Sequence, residues 1–146
     1  MGGRDNSSAM PNKRILVVDD HAPTRFLIRS ILEAEKDRPF DVTEAGTGTD
    51  CLKVFDAQGP FDLVLLDVNL PDMDGFAVCS ALRHVDRQVP IVFVTGKSEL
   101  KDYAAGRAAG GDSYLVKPVA RNALRSIVKL FTGIQRQKAA AEASTA

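Results

Sequence analysis

Five side chains with chemical potential stand at the ends of short apolar runs, although nearly a hundred residues of chain separate the first from the last. Asp19 and Asp20 follow Ile15 to Val18, Asp67 follows Leu63 to Leu66, Thr95 follows Ile91 to Val94, and Lys117 follows Tyr114 to Val116. Taken singly they have ordinary explanations: aspartates cap helices, a threonine ends a strand, a lysine is a solvated charge. Taken as a set they do not. Two carboxylates about 4 Å apart repel by about 4 kcal/mol at an effective dielectric of about 20, a large fraction of a small domain's stability. A cation among them relieves that repulsion. Hard oxygen donors, few in number and with room for water, suit Mg²⁺ better than Zn²⁺ or Ca²⁺, and a partly open Mg²⁺ site normally serves a phosphoryl group. Lys117 and Thr95 then have the chemistry to grip phosphoryl oxygens.

Such convergence requires a fold that brings the ends of all these runs to one place. The four runs are apolar at consecutive positions, as expected of central strands covered on both faces, while Asp41 to Ala45 mixes charge with β-branched residues and suits an outer strand. Between them lie helical stripes. Leu27, Ile28, Ile31 and Leu32 mark the first, Leu52 and Phe55 the second, and Val78, Leu82 and Val85 the third. Leu100, Tyr103, Ala104 and Ala108 mark the fourth, and Leu124, Ile127, Val128 and Phe131 the fifth, each stripe expected to face the sheet. Five such βα units predict a doubly wound α/β sandwich of three layers, flavodoxin-like, with a parallel sheet of strand order 2-1-3-4-5. In that sheet the carboxyl ends share one edge, where ligands bind.

Composition narrows the function classes. A chain of 146 residues with 45% hydrophobic and 26% charged residues makes one globular domain, which excludes a two-domain enzyme. Nineteen Lys and Arg balance nineteen Asp and Glu, so no net positive field favours nucleic acid or an anionic membrane. No apolar run approaches the roughly 20 residues that span a bilayer, and Met1 to Met10 lack the apolar core of an export signal. The expectation is a cytoplasmic protein with neither membrane insertion nor direct nucleic-acid binding. Cys51 and Cys79, without His or Cys at metal spacing, read as buried thiols. The expected organisation is a polar arm over residues 1–12, a domain over 13–133 and an Ala-rich tail over 134–146.

At the residues that carry the chemistry, the chain resembles the receiver domains of two-component response regulators. Ile15-Leu16-Val17-Val18-Asp19-Asp20-His21 is similar to their first strand and acidic pair, and Leu65-Leu66-Asp67-Val68-Asn69-Leu70-Pro71-Asp72-Met73-Asp74-Gly75 to their phosphorylation strand and loop. Val92 to Gly96 matches the strand ending in a hydroxyl, and Gly110 to Pro118 the last strand. The ordered set, over roughly residues 13–133, is far more specific than any single motif.

The resemblance implies roles residue by residue. Asp67 becomes the phosphoacceptor, taking a phosphoryl group from a sensor histidine kinase or a histidine phosphotransfer protein. Asp19, Asp20, Asp67 and the backbone carbonyl of Asn69 would hold Mg²⁺, one of the acidic pair through water. Thr95 and Lys117 would bind the phosphoryl oxygens, with Lys117 paired to Asp67 beforehand. Gly75 would permit a close turn, and Pro118 the cis bond usual there. Thr95 and Tyr114 would form the switch that alters the face made by the fourth helix, last strand and fifth helix, the surface offered to a downstream protein target or to a second copy. Tyr114 is equally readable as a static half-buried aromatic, and Arg107, Arg121 and Arg125 as a solvated face rather than a homodimer surface. No catalysis is implied beyond the domain's own phosphorylation and dephosphorylation, and Lys97 is expected to tune the latter.

Rival readings fit less well. Gly96-Lys97-Ser98 imitates the end of a Walker A loop, but Ile91 stands where its first glycine belongs; Gly46-Thr47-Gly48 starts a dinucleotide fingerprint that Cys51 breaks. A hydrolase of the haloacid dehalogenase kind needs a general acid two residues after its nucleophile, where this chain has Asn69. His21 and His84 read as surface polar residues, His21 lying beside the acidic pair. A constitutive protein-binding module with vestigial phosphorylation is the remaining alternative. The chain length suggests action through another protein, or a piece of a longer one.

Overall fold

A computed structural model describes residues 11–145, with side chains described over 11–133. Residues 1–10 of the expected 1–12 arm and the side chains of the Ala-rich tail lie outside the described residues. The elements alternate strictly: β1 (Arg14–Val18), α1 (Ala22–Glu33), β2 (Asp41–Ala45), α2 (Gly48–Gln58), β3 (Leu63–Leu66), α3 (Gly75–Val85), β4 (Ile91–Thr95), α4 (Leu100–Ala109), β5 (Ser113–Val116) and α5 (Arg121–Thr145). All strand pairs are parallel, in the order β2-β1-β3-β4-β5, as the apolar runs predict.

Alternation along β1 shows why the sheet is covered on both sides. Leu16 and Val18 enter a cluster with Cys51 and Phe55 of α2 and Val78, Cys79 and Leu82 of α3. Ile15 and Val17 point the other way, against Ile28, Ile31 and Leu32 of α1 and Leu124 and Val128 of α5. Successive strand residues face opposite sides, so a fully apolar strand needs two layers of helix. Both cysteines are free and buried, and burial pushes the Cys51 thiol up to about 12 and the Cys79 thiol up to about 11.

The packing corrects three expectations. β5 is an edge strand, partly exposed at all four positions, because in this order it has β4 as its one neighbour. Leu27 and Val85, counted among the sheet-facing residues, are exposed to 45% and 70%; Ile28, Ile31 and Leu32 fill the site beneath α1, and Val78, Cys79 and Leu82 that beneath α3. The largest departure is α4. Leu100, Ala104 and Ala108 face solvent, Tyr103 is 39% exposed with its ring against Tyr114, and the buried positions of the helix are Asp102 and Gly106. The reason lies underneath: Phe93 and Tyr114 fill the space, and a Cβ on Gly106 would already stand 3.2 Å from the Phe93 ring and 3.4 Å from Tyr114. Small residues go where large rings have taken the volume.

Candidate functional site

The carboxyl edge of the sheet gathers the five residues. Asp19 follows β1, Asp67 follows β3 and Thr95 ends β4, and all three are buried; Asp20 is exposed beside them. One carboxylate oxygen from each of Asp19, Asp20 and Asp67 can be chosen so that all lie within 4.8 Å of one another. Lys117, leaving β5, places its Nζ 2.7 Å from Asp19 Oδ2 and 3.0 Å from Asp67 Oδ2. Burial alone would lower the Lys117 ammonium, but its hydrogen bonds to the two carboxylates outweigh that and hold it above the usual range.

Each side chain is set by its backbone. The Asp67 N–H donates to Val18 O at 2.9 Å and the Lys117 N–H to Thr95 O at 2.9 Å, extending the ladder past the strands. The His21 N–H donates to Asp19 Oδ1 at 2.8 Å and the Asn69 N–H to Asp67 Oδ1 at 3.2 Å, which orients both carboxylates and leaves Oδ2 of each for Lys117. The turn into α3 is close: a Cβ on Gly75 would lie 2.2 Å from the Asp67 carbonyl oxygen. Thus Gly75 is required by the approach of two backbones. The Lys117–Pro118 bond is cis, as the resemblance implies.

The donor set suits a divalent ion. Three carboxylates against one ammonium leave a formal excess of two negative charges (−3 + 1 = −2) around a solvent-accessible opening at Asp20. A ring of hard oxygens with water access matches Mg²⁺ rather than a closed nitrogen and sulfur site.

Tyr114 turns inward. Its ring packs 5.8 Å from Phe93 and edge-on to Tyr103 at 4.7 Å, and its hydroxyl is buried with no hydrogen-bond partner among the described residues. Burial, helped by the nearby Asp102 carboxylate, pushes that phenol up to about 12. Thr95 Oγ1 has the Lys97 N–H at a long 3.5 Å, and Lys97 itself is exposed.

The sequence of polar ends, the strand order and the cis proline all converge on one model of known proteins, the response regulator receiver domain, which matches residues 15–129. The chain belongs to this family. Among its relatives, the receiver domain is 37% identical over 133 residues to the alkaline phosphatase synthesis transcriptional regulatory protein PhoP of Bacillus subtilis, covering 91% of this chain and 53% of that protein. It is 42% identical over 106 residues to the DNA-binding response regulator MtrA of Mycobacterium tuberculosis, covering 73% of this chain and 44% of the relative. The chain therefore spans about half the length of the curated relatives it matches. A CheY-like receiver domain from Methanospirillum hungatei superposes with a TM-score of 0.81 at 30% identity, over 88% of this chain and 99% of that one. The receiver domain has no helix, among the described residues, long and apolar enough to cross a membrane.

Two participants in the site escape sequence reasoning. Arg25 of α1 donates to the Asp19 carbonyl oxygen at 2.5 Å and to Glu44 at 2.8 Å. Asp72, in the loop after β3, accepts from the amino end of α2. An arginine on a helix and an aspartate in a Pro-Asp turn are common enough to carry no signal alone. Of the three arginines left open between a solvated face and a homodimer surface, Arg125 bonds Glu35 of the α1–β2 turn at 2.5 Å, with Lys129 at 3.0 Å from the same carboxylate.

Proposed function

We propose that the chain is a phosphoryl-accepting switch of a two-component phosphorelay, with Asp67 as the acceptor. The observation that carries this reading is the Lys117 ammonium bridging the buried Asp19 and Asp67 carboxylates in a cluster whose remaining charge calls for a divalent cation. Asp19, Asp20, Asp67 and the Asn69 carbonyl would hold Mg²⁺, which when bound screens the charge of the incoming phosphoryl group.

In the reaction, an Asp67 carboxylate oxygen attacks the phosphorus of a phosphohistidine on a sensor histidine kinase or histidine phosphotransfer protein. The oxygen–phosphorus bond forms as the nitrogen–phosphorus bond breaks, and the electron pair leaves with the imidazole. Lys117 stays as counter-charge, passing from the Asp67 carboxylate to a phosphoryl oxygen, and the Thr95 hydroxyl donates to another. The product gains about −1.5 to −2 charge at the end of β3. Thr95 is drawn toward it, and the space it vacates bears on Tyr114 and on the face made by α4, β5 and α5. That face is read by a downstream protein target or by a second copy of the chain.

Intact mass after incubation with Mg²⁺ and acetyl phosphate tests this. One added phosphoryl group, base-labile and absent from Asp67→Asn and from a metal-free control, is the expected result; no gain with any phosphodonor, together with no binding of the acyl-phosphate mimic beryllofluoride, overturns it. The ring packing of Tyr114 against Phe93 and Tyr103 also fits a second reading, a constitutive binding module in which that packing is permanent. A face that binds its target equally before and after phosphorylation would select that reading.

A further inference from the structure

The loop after β3 carries the Asn69 carbonyl and is fastened at three places. Its start is held by the Asn69 N–H on Asp67 Oδ1, and its end by an Asn69–Asp74 bridge and by the Asp74 side chain, which accepts from the Phe76 N–H at 2.8 Å. Both attachments return to the loop's own strand or helix. The third reaches a different element: Asp72 accepts from the Gly48 N–H at 2.8 Å, the Thr49 N–H at 2.9 Å and the Thr49 hydroxyl at 2.6 Å. Met73 lies against the same turn so closely that a Cβ on Gly48 would stand 2.8 Å from its sulfur.

Part of this contact completes the capping of α2: Thr47 accepts from the Asp50 N–H at 3.0 Å, and Asp72 takes the Gly48 and Thr49 amides that this N-cap leaves open, but it does so from a different element. The amino end of α2 is in turn joined to the other side of the acidic pocket, because the Asp19 N–H donates to the Ala45 carbonyl oxygen at 3.1 Å, just ahead of that turn. A closed path therefore runs from Asp19 through Ala45, Gly48 and Asp72 to Asn69, linking the two sides of the pocket behind the metal ligands.

We propose that Asp72 is a positioning residue for the metal and phosphoryl site, acting as a strap that holds the Asn69 carbonyl at a fixed distance from Asp19 by way of α2. The proposal rests on the reading of Asp67 as a Mg²⁺-dependent phosphoacceptor. Asp72 has the character the role needs: the Thr49 hydroxyl, then the backbone amides, hold its carboxyl down at about 2, so it remains an acceptor throughout the physiological range.

The test is calorimetric titration of MgCl₂ into the wild-type chain, Asp72→Ala, Asp72→Asn and Thr47→Ala, with amide exchange over Asn69 to Met73 and acetyl phosphate labelling at several Mg²⁺ concentrations. Asp72→Ala is expected to weaken Mg²⁺ binding about tenfold, the usual scale for groups that orient metal ligands. Its half-saturating Mg²⁺ for labelling rises by the same factor, with the rate at saturation within about twofold of wild type. Asp72→Asn, which keeps one acceptor oxygen, recovers part of the loss. Thr47→Ala, which removes the cap of α2 and leaves the strap, binds Mg²⁺ as wild type does. Equal Mg²⁺ affinity in wild type and Asp72→Ala overturns the strap while leaving the phosphoacceptor reading intact. A wild-type chain that takes up no Mg²⁺ overturns both.

Discussion

On the α1 and α2 side of the pocket, Asp19 is held through its carbonyl by Arg25, through its amide by Ala45 and through its carboxylate by His21 and Lys117. Arg25 and Arg29 both close on Glu44 of β2, and Asp72 joins the loop after β3 to α2. On the α4 and β5 side, β5 is partly exposed along its whole length, α4 buries Gly106 and Asp102, and the Tyr114 hydroxyl is buried with no partner among the described residues. The first region is over-determined, and the second holds shallow contacts and an unmet polar group. Regions with few buried apolar contacts open at the lowest free-energy cost. Under the proposed phosphorylation, a charge added at Asp67 would meet a rigid frame on one flank and a repackable one on the other, which would direct the proposed response toward α4 and β5.

The comparison can be broken most sharply by adding one methyl group to each side. Gly75→Ala sets a Cβ against the Asp67 carbonyl oxygen and 2.6 Å from Val68 Cα, both backbone atoms that the frame holds. A loss of about 3 kcal/mol by urea denaturation is expected, together with reduced phosphoryl labelling. Gly106→Ala meets ring edges at 3.2 Å and 3.4 Å instead, and alanine gains about 1 kcal/mol over glycine in a helix. Its net change should therefore stay within about 1 kcal/mol. Equal losses from the two substitutions would end the distinction between the flanks.

Smaller effects sharpen it. Tyr114→Phe removes a buried hydroxyl with no partner among the described residues and is expected to raise stability by about 1 kcal/mol, measured in the same denaturation experiment. The same phenol predicts an alkaline signature. Its folded value of about 12 lies above its ordinary 10.0, so the folded state retains a proton that the unfolded state has lost, and stability falls as pH rises from about 10 through about 12. Tyr114→Phe should flatten that decline. On the frame side the sign reverses. Asp72, depressed from 3.8 to about 2, contributes stability above about 4 that is lost as pH falls toward 2, and Asp72→Asn should remove that part of the acid transition.

Strand order and the convergence of Asp19, Asp20, Asp67 and Lys117 were legible because each apolar run stops abruptly at a polar residue, and a parallel sheet leaves few ways to arrange five such runs. The burial of Asp19, Asp67 and Thr95 follows from the same pattern. The α4 stripe was misread for a physical reason: apolar periodicity finds the face with large side chains, whereas this helix packs through its small ones. Leu100, 82% exposed, supplied a hydrophobic signal with nothing beneath it. β5 reads like a central strand because Tyr114, Leu115 and Val116 are all apolar, although the sheet ends there. The orientation of Tyr114 depends on the volume left by Gly106, and the Asp72 strap on a pairing across the fold; neither is encoded locally.

The chain contains no tryptophan and two tyrosines, and these two, Tyr103 and Tyr114, meet edge-on at 4.7 Å on the repackable flank. Their rings continue through Phe93 to Phe76, at centroid distances of 5.8 Å and 5.2 Å. Near-ultraviolet absorption above the phenylalanine band therefore comes from this flank alone. The molecule has its own optical reporter: tyrosine circular dichroism and emission will register rearrangement of α4 against β5, with no label attached and no background from the frame.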